Sequence, residues 1–170
     1  MTEILTARLR LRPARADDLD AFHAILSDPR AMAYWSSPPH ADLAQTRKFL
    51  DETIDIPPGE GEDFVVELDG VAIGKAGLYR FPEIGFIFHP DHWGRGYAAE
   101  ALAPVIDRAF AVHGLPAIEA DVDPRNAASL KLLARLGFVE TGRKARTWLI
   151  AGTWCDSVYL RLDPGGWRQR

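Results

Sequence analysis

Leucine and arginine alternate near the start of the chain. Over residues 5–12, Leu9 and Leu11 stand between Arg8, Arg10 and Arg12, the period-two pattern of a half-solvated strand. Asp17 is then placed to cap a short helix ending at Leu26. Pro29, Pro38 and Pro39, with Tyr34 and Trp35 among them, predict irregular backbone over residues 27–39. A second helix is expected over residues 42–54, closed by Pro57-Pro58-Gly59. Residues 64–68 and 71–78 are apolar-rich runs joined by Asp69-Gly70, a pair that supplies the positive φ angles of a two-residue hairpin turn. A third strand, residues 83–88, is apolar after its glutamate and bounded by Pro82 and Pro90. Leu102, Val105, Ile106, Ala109 and Phe110 recur at the spacing of one helix face, so residues 96–112 are expected to be helical. Pro104 is expected to bend that helix. Beyond it the pattern predicts strand 117–122, helix 127–136 and strands near 138–149 and 155–162. An antiparallel meander leading into βαβα predicts the α/β class with a mixed sheet.

Composition narrows the function classes. The 170 residues suit one domain spanning 1–170, large enough to bury about 70% of the surface an unfolded chain exposes. A net charge of -4 gives no footprint for a nucleic-acid binder, and no apolar run approaches the roughly 18 to 20 residues that span a bilayer. Nucleic acid and membrane are therefore not expected partners. Cys155 is the sole cysteine, and arginines occupy the N-terminal stretch where a signal peptide needs its apolar core. A cytoplasmic protein is expected. The five histidines form no metal-ligand spacing, so no metal site is expected. Gly70 to Lys75 is one residue short of a P-loop and lies inside a hairpin strand.

The chemistry concentrates where the third strand meets the long helix. Trp93-Gly94-Arg95-Gly96-Tyr97-Ala98 is a glycine-punctuated turn that delivers backbone N–H groups onto a helix N-terminus, a natural seat for an anion and above all for phosphate. Gly94, Gly96 and Ala98 keep side chains out of the way, and Arg95 can add a direct charge. A Rossmann-type site fits poorly, because this first glycine-rich turn follows several strands instead of the first one. About 30 residues further on, Asn126 stands where a helix N-cap belongs, with Ser129 three positions later.

Together these segments resemble the GNAT acetyltransferases. The run from Trp93 to Ala101 is similar to their acetyl-coenzyme A signature, Gln/Arg-x-x-Gly-x-Gly/Ala, with Trp93 in the first place as a departure and Gly96 and Ala98 in the others. The run from Asn126 to Phe138 resembles their second signature, Asn-x-x-Ser followed by an apolar helix and Gly-Phe. Gly152-Thr153-Trp154-Cys155-Asp156-Ser157-Val158-Tyr159 and the early Leu-Arg-Leu-Arg-Pro are similar to the branch that acetylates ribosomal-protein N-termini, the RimJ/RimL type.

The resemblance implies a GNAT fold with a splayed central strand and transfer of an acetyl group from acetyl-CoA to a primary amine, which attacks directly in a ternary complex. Ile87, Phe88 and His89 at the strand's end, the turn Trp93, Gly94, Arg95, Gly96, Tyr97 and Ala98, and Asn126 with Ser129 are then the positions that hold the cofactor. An amide of Ile87 or Phe88 would stabilise the developing oxyanion. Ser129 could protonate the departing thiolate, since Leu133 stands where many relatives carry a tyrosine. Glu83 matches a glutamate that serves as base directly or through water, with His89, His92, Glu119 and Asp121 as alternatives. Tyr34, Trp35 and Glu83 are expected to meet the acceptor, a peptide N-terminus or a small molecule, in a monomer or homodimer. The other reading is a catalytically silent domain that binds acyl-CoA as a sensor or interaction module.

Overall fold

In the computed structural model, which describes residues 2–168, the chain begins with two short strands, β1 (Ile4–Leu5) and β2 (Leu9–Arg12). Helices α1 (Leu19–Leu26) and α2 (Leu43–Ile54) follow. A meander of β3 (Glu62–Leu68), β4 (Val71–Arg80) and β5 (Glu83–Phe88) leads into α3 (Tyr97–Ala111). The chain continues through β6 (Ile118–Val122), α4 (Ala127–Arg135), β7 (Val139–Ile150) and β8 (Thr153–Leu162), ending in α5 (Pro164–Arg168). The eight strands form one sheet in the order β1-β2-β3-β4-β5-β6-β8-β7.

Local chemistry accounts for most boundaries. Asp42 caps α2 by accepting from the Gln45 amide at 2.9 Å, and Asp69 and Gly70 take φ of 50° and 80°, the double left-handed step of a tight hairpin. Strand alternation then sends Phe64, Val66 and Phe88 to one side of the sheet, where α3 buries Leu102, Val105, Ile106 and Ala109. Val65 and Ile87 go to the other side, against Phe22, Ile25 and Leu26 of α1 and Leu50 of α2. Helices therefore cover both faces. None of the described helices is long and apolar enough to cross a membrane.

Two expectations need correction, and one helix was not foreseen. Residues 5–12 are not one strand, because the chain turns at Thr6, whose N–H bonds the Leu9 carbonyl at 2.9 Å. Asp17 is not the cap of the first helix. Residues Ala16–Asp18 form a 3-10 turn, and it is Asp18 that accepts from the Arg15 amide at 2.7 Å. Helix α5 escaped a pattern-based reading, since Gly165 and Gly166 are poor helix formers. It is held from outside by Trp167, whose indole N–H donates to Asp107 at 2.7 Å.

The pairing of β5 positions the site. β5 runs antiparallel to β4, with Lys75 opposite Ile87 and Gly77 opposite Gly85. To its other neighbour it pairs only at Glu83, in parallel with Glu119 of β6, where the Glu119 amide donates to the Pro82 carbonyl at 3.0 Å. β6 meanwhile pairs with β8 along its whole length. The sheet therefore opens between β5 and β6 beyond Glu83. This is the splayed central strand that the resemblance implies.

Candidate active site

Backbone polarity decides what faces that opening. The His89 amide donates across to the Ile73 carbonyl at 2.8 Å. In an antiparallel ladder the bonded residues alternate, so Ile87 and Gly85 also turn their amides toward β4 while Phe86 and Phe88 turn theirs toward the opening. Ile87 therefore gives its amide to the ladder and its side chain to the core beside α1. Phe88 and Phe86 are the residues of β5 whose amides face the opening.

Two helix N-termini flank the same opening, at the carboxyl ends of β5 and β6, where α/β sheets place ligands. Gly94 and Gly96 adopt φ of 72° and 80°. A Cβ added at Gly94 would meet nothing within 4 Å, and one at Gly96 only an Arg8 nitrogen at 3.5 Å. Glycine is required here by backbone conformation and not by crowding from the protein. Gly96 caps α3 without a side-chain bond, so among the described residues the first-turn amides of Tyr97, Ala98 and Ala99 are unclaimed donors. Arg95 is exposed beside them, whereas the Tyr97 side chain is buried, leaving its amide alone to serve a ligand.

Trp93 hydrogen-bonds through its indole N–H to the Phe88 carbonyl at 2.9 Å and keeps half its surface exposed. It ties the turn to the end of β5. His89 spends its Nδ1 on the Asp91 amide at 3.2 Å, and His92 lies beside it with ring centroids 6.1 Å apart. On the facing helix, Asn126 Oδ1 accepts from the Ser129 amide at 3.2 Å, the capping role its position suggested. Among the described hydrogen bonds none uses the Asn126 amide nitrogen or the Ser129 hydroxyl, which leaves both available to a ligand. Leu133 is buried in the core.

At the other end of β5 lies a cleft of about 1340 Å³. Tyr34 and Trp35 line it together with Phe49 of α2, Tyr79 and Arg80 of β4, Glu83 and Gly85 of β5, and Trp148 of β7. Glu83 is held from both sides: the Tyr79 hydroxyl donates to one carboxylate oxygen, and Arg80 donates to the other at 2.7 Å. Burial and the Glu83 contact push the Tyr79 phenol up to about 12, so Tyr79 is a donor at neutral pH and not a base. Carboxylates outnumber cations among the charged lining residues, with Glu52, Asp55, Glu60, Glu119, Asp121, Asp123 and Asp156 beside Glu83. The cations present are engaged: Lys75 with buried Asp63, Arg80 with Glu83, and Arg161 with Glu119 and Asp163. Trp148 donates to Asp121 at 3.1 Å, and the Arg125 guanidinium lies over the Tyr34 ring at 5.6 Å.

Residues 8–139 match the acetyltransferase (GNAT) domain. The chain belongs to the GNAT acetyltransferase family. It falls in the RimJ/RimL-like group. It is 35% identical over 152 residues to the uncharacterized N-acetyltransferase p20 of Bacillus licheniformis, covering 84% of this chain and 85% of that one. It is 26% identical over 158 residues to the spermidine N(1)-acetyltransferase of Escherichia coli (strain K12), covering 89% and 84%. A GNAT-family acetyltransferase structure from Bacillus anthracis superposes with a TM-score of 0.82 at 25% identity, covering 95% and 98%.

As a GNAT enzyme the chain takes acetyl-CoA as its acyl donor. The donor set fits that molecule: unclaimed amides at a left-handed turn suit a pyrophosphate, and a free strand edge with an unclaimed asparagine amide suits a chain of amide groups. Sequence reasoning brought together Phe88, Trp93 to Ala98, Asn126 and Ser129 on one side, and Tyr34, Trp35 and Glu83 on the other. It missed Tyr79, whose contact with Glu83 spans only four residues and follows from strand-end proximity. It also missed Phe86 and the contacts of Thr6 and Arg8 with Glu100, which no local pattern announces.

Proposed function

We propose that this acetyltransferase acts on a primary amine carried by a cationic acceptor, and that the amine attacks the acetyl thioester directly in a ternary complex. The observation that carries the reading is the carboxylate-lined cleft that meets the β5–β6 opening at Glu83. A cleft with more carboxylates than cations in its lining concentrates positively charged ligands, and a polyamine presents several ammonium groups at once. The named substrate of the Escherichia coli relative, spermidine, is such a molecule.

In this account the turn from Trp93 to Ala98 and the amide of Asn126 hold the donor. The Phe86 and Phe88 amides, both free to face the opening, orient the thioester carbonyl and stabilise negative charge on its oxygen as the new C–N bond forms. The attacking amine must arrive neutral. Glu83 receives its proton through a water molecule, because both carboxylate oxygens already accept one hydrogen bond and retain only their second lone pairs. The nitrogen, cationic once bonded to carbon, gives up its second proton to water as the C–S bond breaks, and the Ser129 hydroxyl hydrogen-bonds the departing thiolate. An unperturbed thiol ionises near pH 8.5, so this last step asks for little help.

Initial rates with both substrates varied test the reading. Lines that intersect in double-reciprocal plots are expected, together with a rise of roughly tenfold in the amine KM for Glu119→Gln/Asp121→Asn. Parallel lines, or an unchanged amine KM, would overturn direct attack or the acidic cleft respectively.

A further inference from the structure

Helix α3 carries a carboxylate, Glu100, in its first turn, on the residue after the three unclaimed amides. Left alone, a negative charge there works against an anion at the same N-terminus. It is not left alone. The turn between β1 and β2 reaches across the fold to it. The Thr6 hydroxyl and the Arg8 amide donate to one Glu100 oxygen at 2.6 and 2.8 Å, and the Arg8 side chain donates to the other at 2.7 Å. Burial opposes the charge on Glu100, but the bonds from Thr6 and Arg8 outweigh it and hold the carboxyl below its ordinary value.

Arg8 does more than neutralise. Its Nη1 donates to the carbonyl of Arg95, inside the glycine turn, at 2.9 Å. Its guanidinium lies 4.5 Å from the centroid of the Tyr97 ring, and Nη2 sits 3.5 Å from where a Gly96 Cβ would stand. A planar fork can hold a carboxylate, a carbonyl and an aromatic face at once, which an ammonium cannot. The carbonyl of Arg95 is thus turned toward Arg8 on one side, while the amides of the same turn are presented on the other.

We propose that Arg8 is a positioning residue for the coenzyme A pyrophosphate: it fixes the Gly94–Arg95–Gly96 turn through the Arg95 carbonyl and cancels the Glu100 charge beside the phosphate seat. Arg8 touches neither reacting atom. This rests on the reading of that turn as the pyrophosphate's seat.

The test compares two donors, acetyl-CoA and acetyl-pantetheine, which carries the same thioester without the phosphates. The quantity read is the ratio of their kcat/KM values, from the first-order phase at substrate well below KM. Arg8→Met is expected to lower the ratio roughly tenfold, the loss of a charged hydrogen bond, through a raised KM for acetyl-CoA with kcat nearly unchanged. Arg8→Lys, which keeps the charge but not the fork, should fall between; it carries the test if Arg8→Met does not fold. Ala99→Asp reads the turn itself, since a carboxylate there favours the helix while competing for the same amides, and it should lower the ratio too. If Ala99→Asp lowers the ratio and the Arg8 variants slow both donors equally, the role of Arg8 is structural and the proposal fails. If Ala99→Asp leaves the ratio unchanged, the turn is not the pyrophosphate's seat, and the proposal falls with that reading.

Discussion

Glu83, the proposed proton acceptor, is held in a fixed direction by Tyr79 and Arg80 at the point where β5 and β6 part. Replacing it by glutamine keeps one acceptor for Tyr79 but removes the proton's destination. Glu83→Gln is expected to lower kcat by about 100-fold, the lower range of general-base effects, with the acetyl-CoA KM unchanged. Steady-state kinetics across pH check this, and a kcat within twofold of wild type would remove Glu83 from the mechanism. Ser129→Ala should cost less than about tenfold, because the thiolate leaves readily. Arg12 belongs to stability instead. It binds Asp18 through two nitrogens at 2.9 and 2.6 Å and Glu67 at 2.5 Å, with all three side chains buried. Arg12→Met leaves buried Asp18 without its cation and Glu67 with only the longer Arg10 contact at 3.4 Å, and is expected to cost about 3 to 5 kcal/mol in denaturant unfolding. In the sequence Arg12 is one more solvated position of an alternating strand. Its partners lie 6 and 55 residues away, beyond any local pattern.

Elements whose cause is local were legible: the Asp69-Gly70 hairpin, β5 between its prolines, and α4 behind its asparagine cap. The division of β1 from β2 was not, because the turn at Thr6 is fixed by Glu100, 94 residues further on. The packing of α1 on α2 shows the same dependence on distant partners. Thr46 of α2, fully buried, bridges His23 and His40 at 2.8 and 2.9 Å. Burial, then the nearby His23, lowers the His40 pKa below its ordinary 6.5. A group with a depressed folded pKa that is cationic when protonated favours folding while it is neutral. Stability is therefore present above pH 6.5 and declines as pH falls through the lowered value. Thermal midpoints at pH 7.5 and 5.5 should show an acid loss that His40→Asn reduces; an equal loss in both proteins would place its cause elsewhere.

At the scale of the whole molecule, the proposed mechanism uses one end of β5 for the donor and the other end for the acceptor, with the sheet opening between them. The donor half could be read from the sequence, because a phosphate seat is a short contiguous turn and the asparagine cap follows it in order. The acceptor half was legible only at Tyr34, Trp35 and Glu83. Its carboxylates come from α2, β5, β6, β8 and the loops between, and only folding gathers them around Glu83. That cleft is the part of the account that names a substrate class, and acetyl transfer to a cationic amine is its central claim. The most direct measurement is coenzyme A thiol release from acetyl-CoA with spermidine, an aminoglycoside, peptide N-termini and a neutral-bodied monoamine offered in turn. Turnover is predicted, with kcat/KM highest for the polycations and falling as ionic strength rises. Tight coenzyme A binding with no thiol release from any of them would contradict the account and favour a silent acyl-CoA-binding domain.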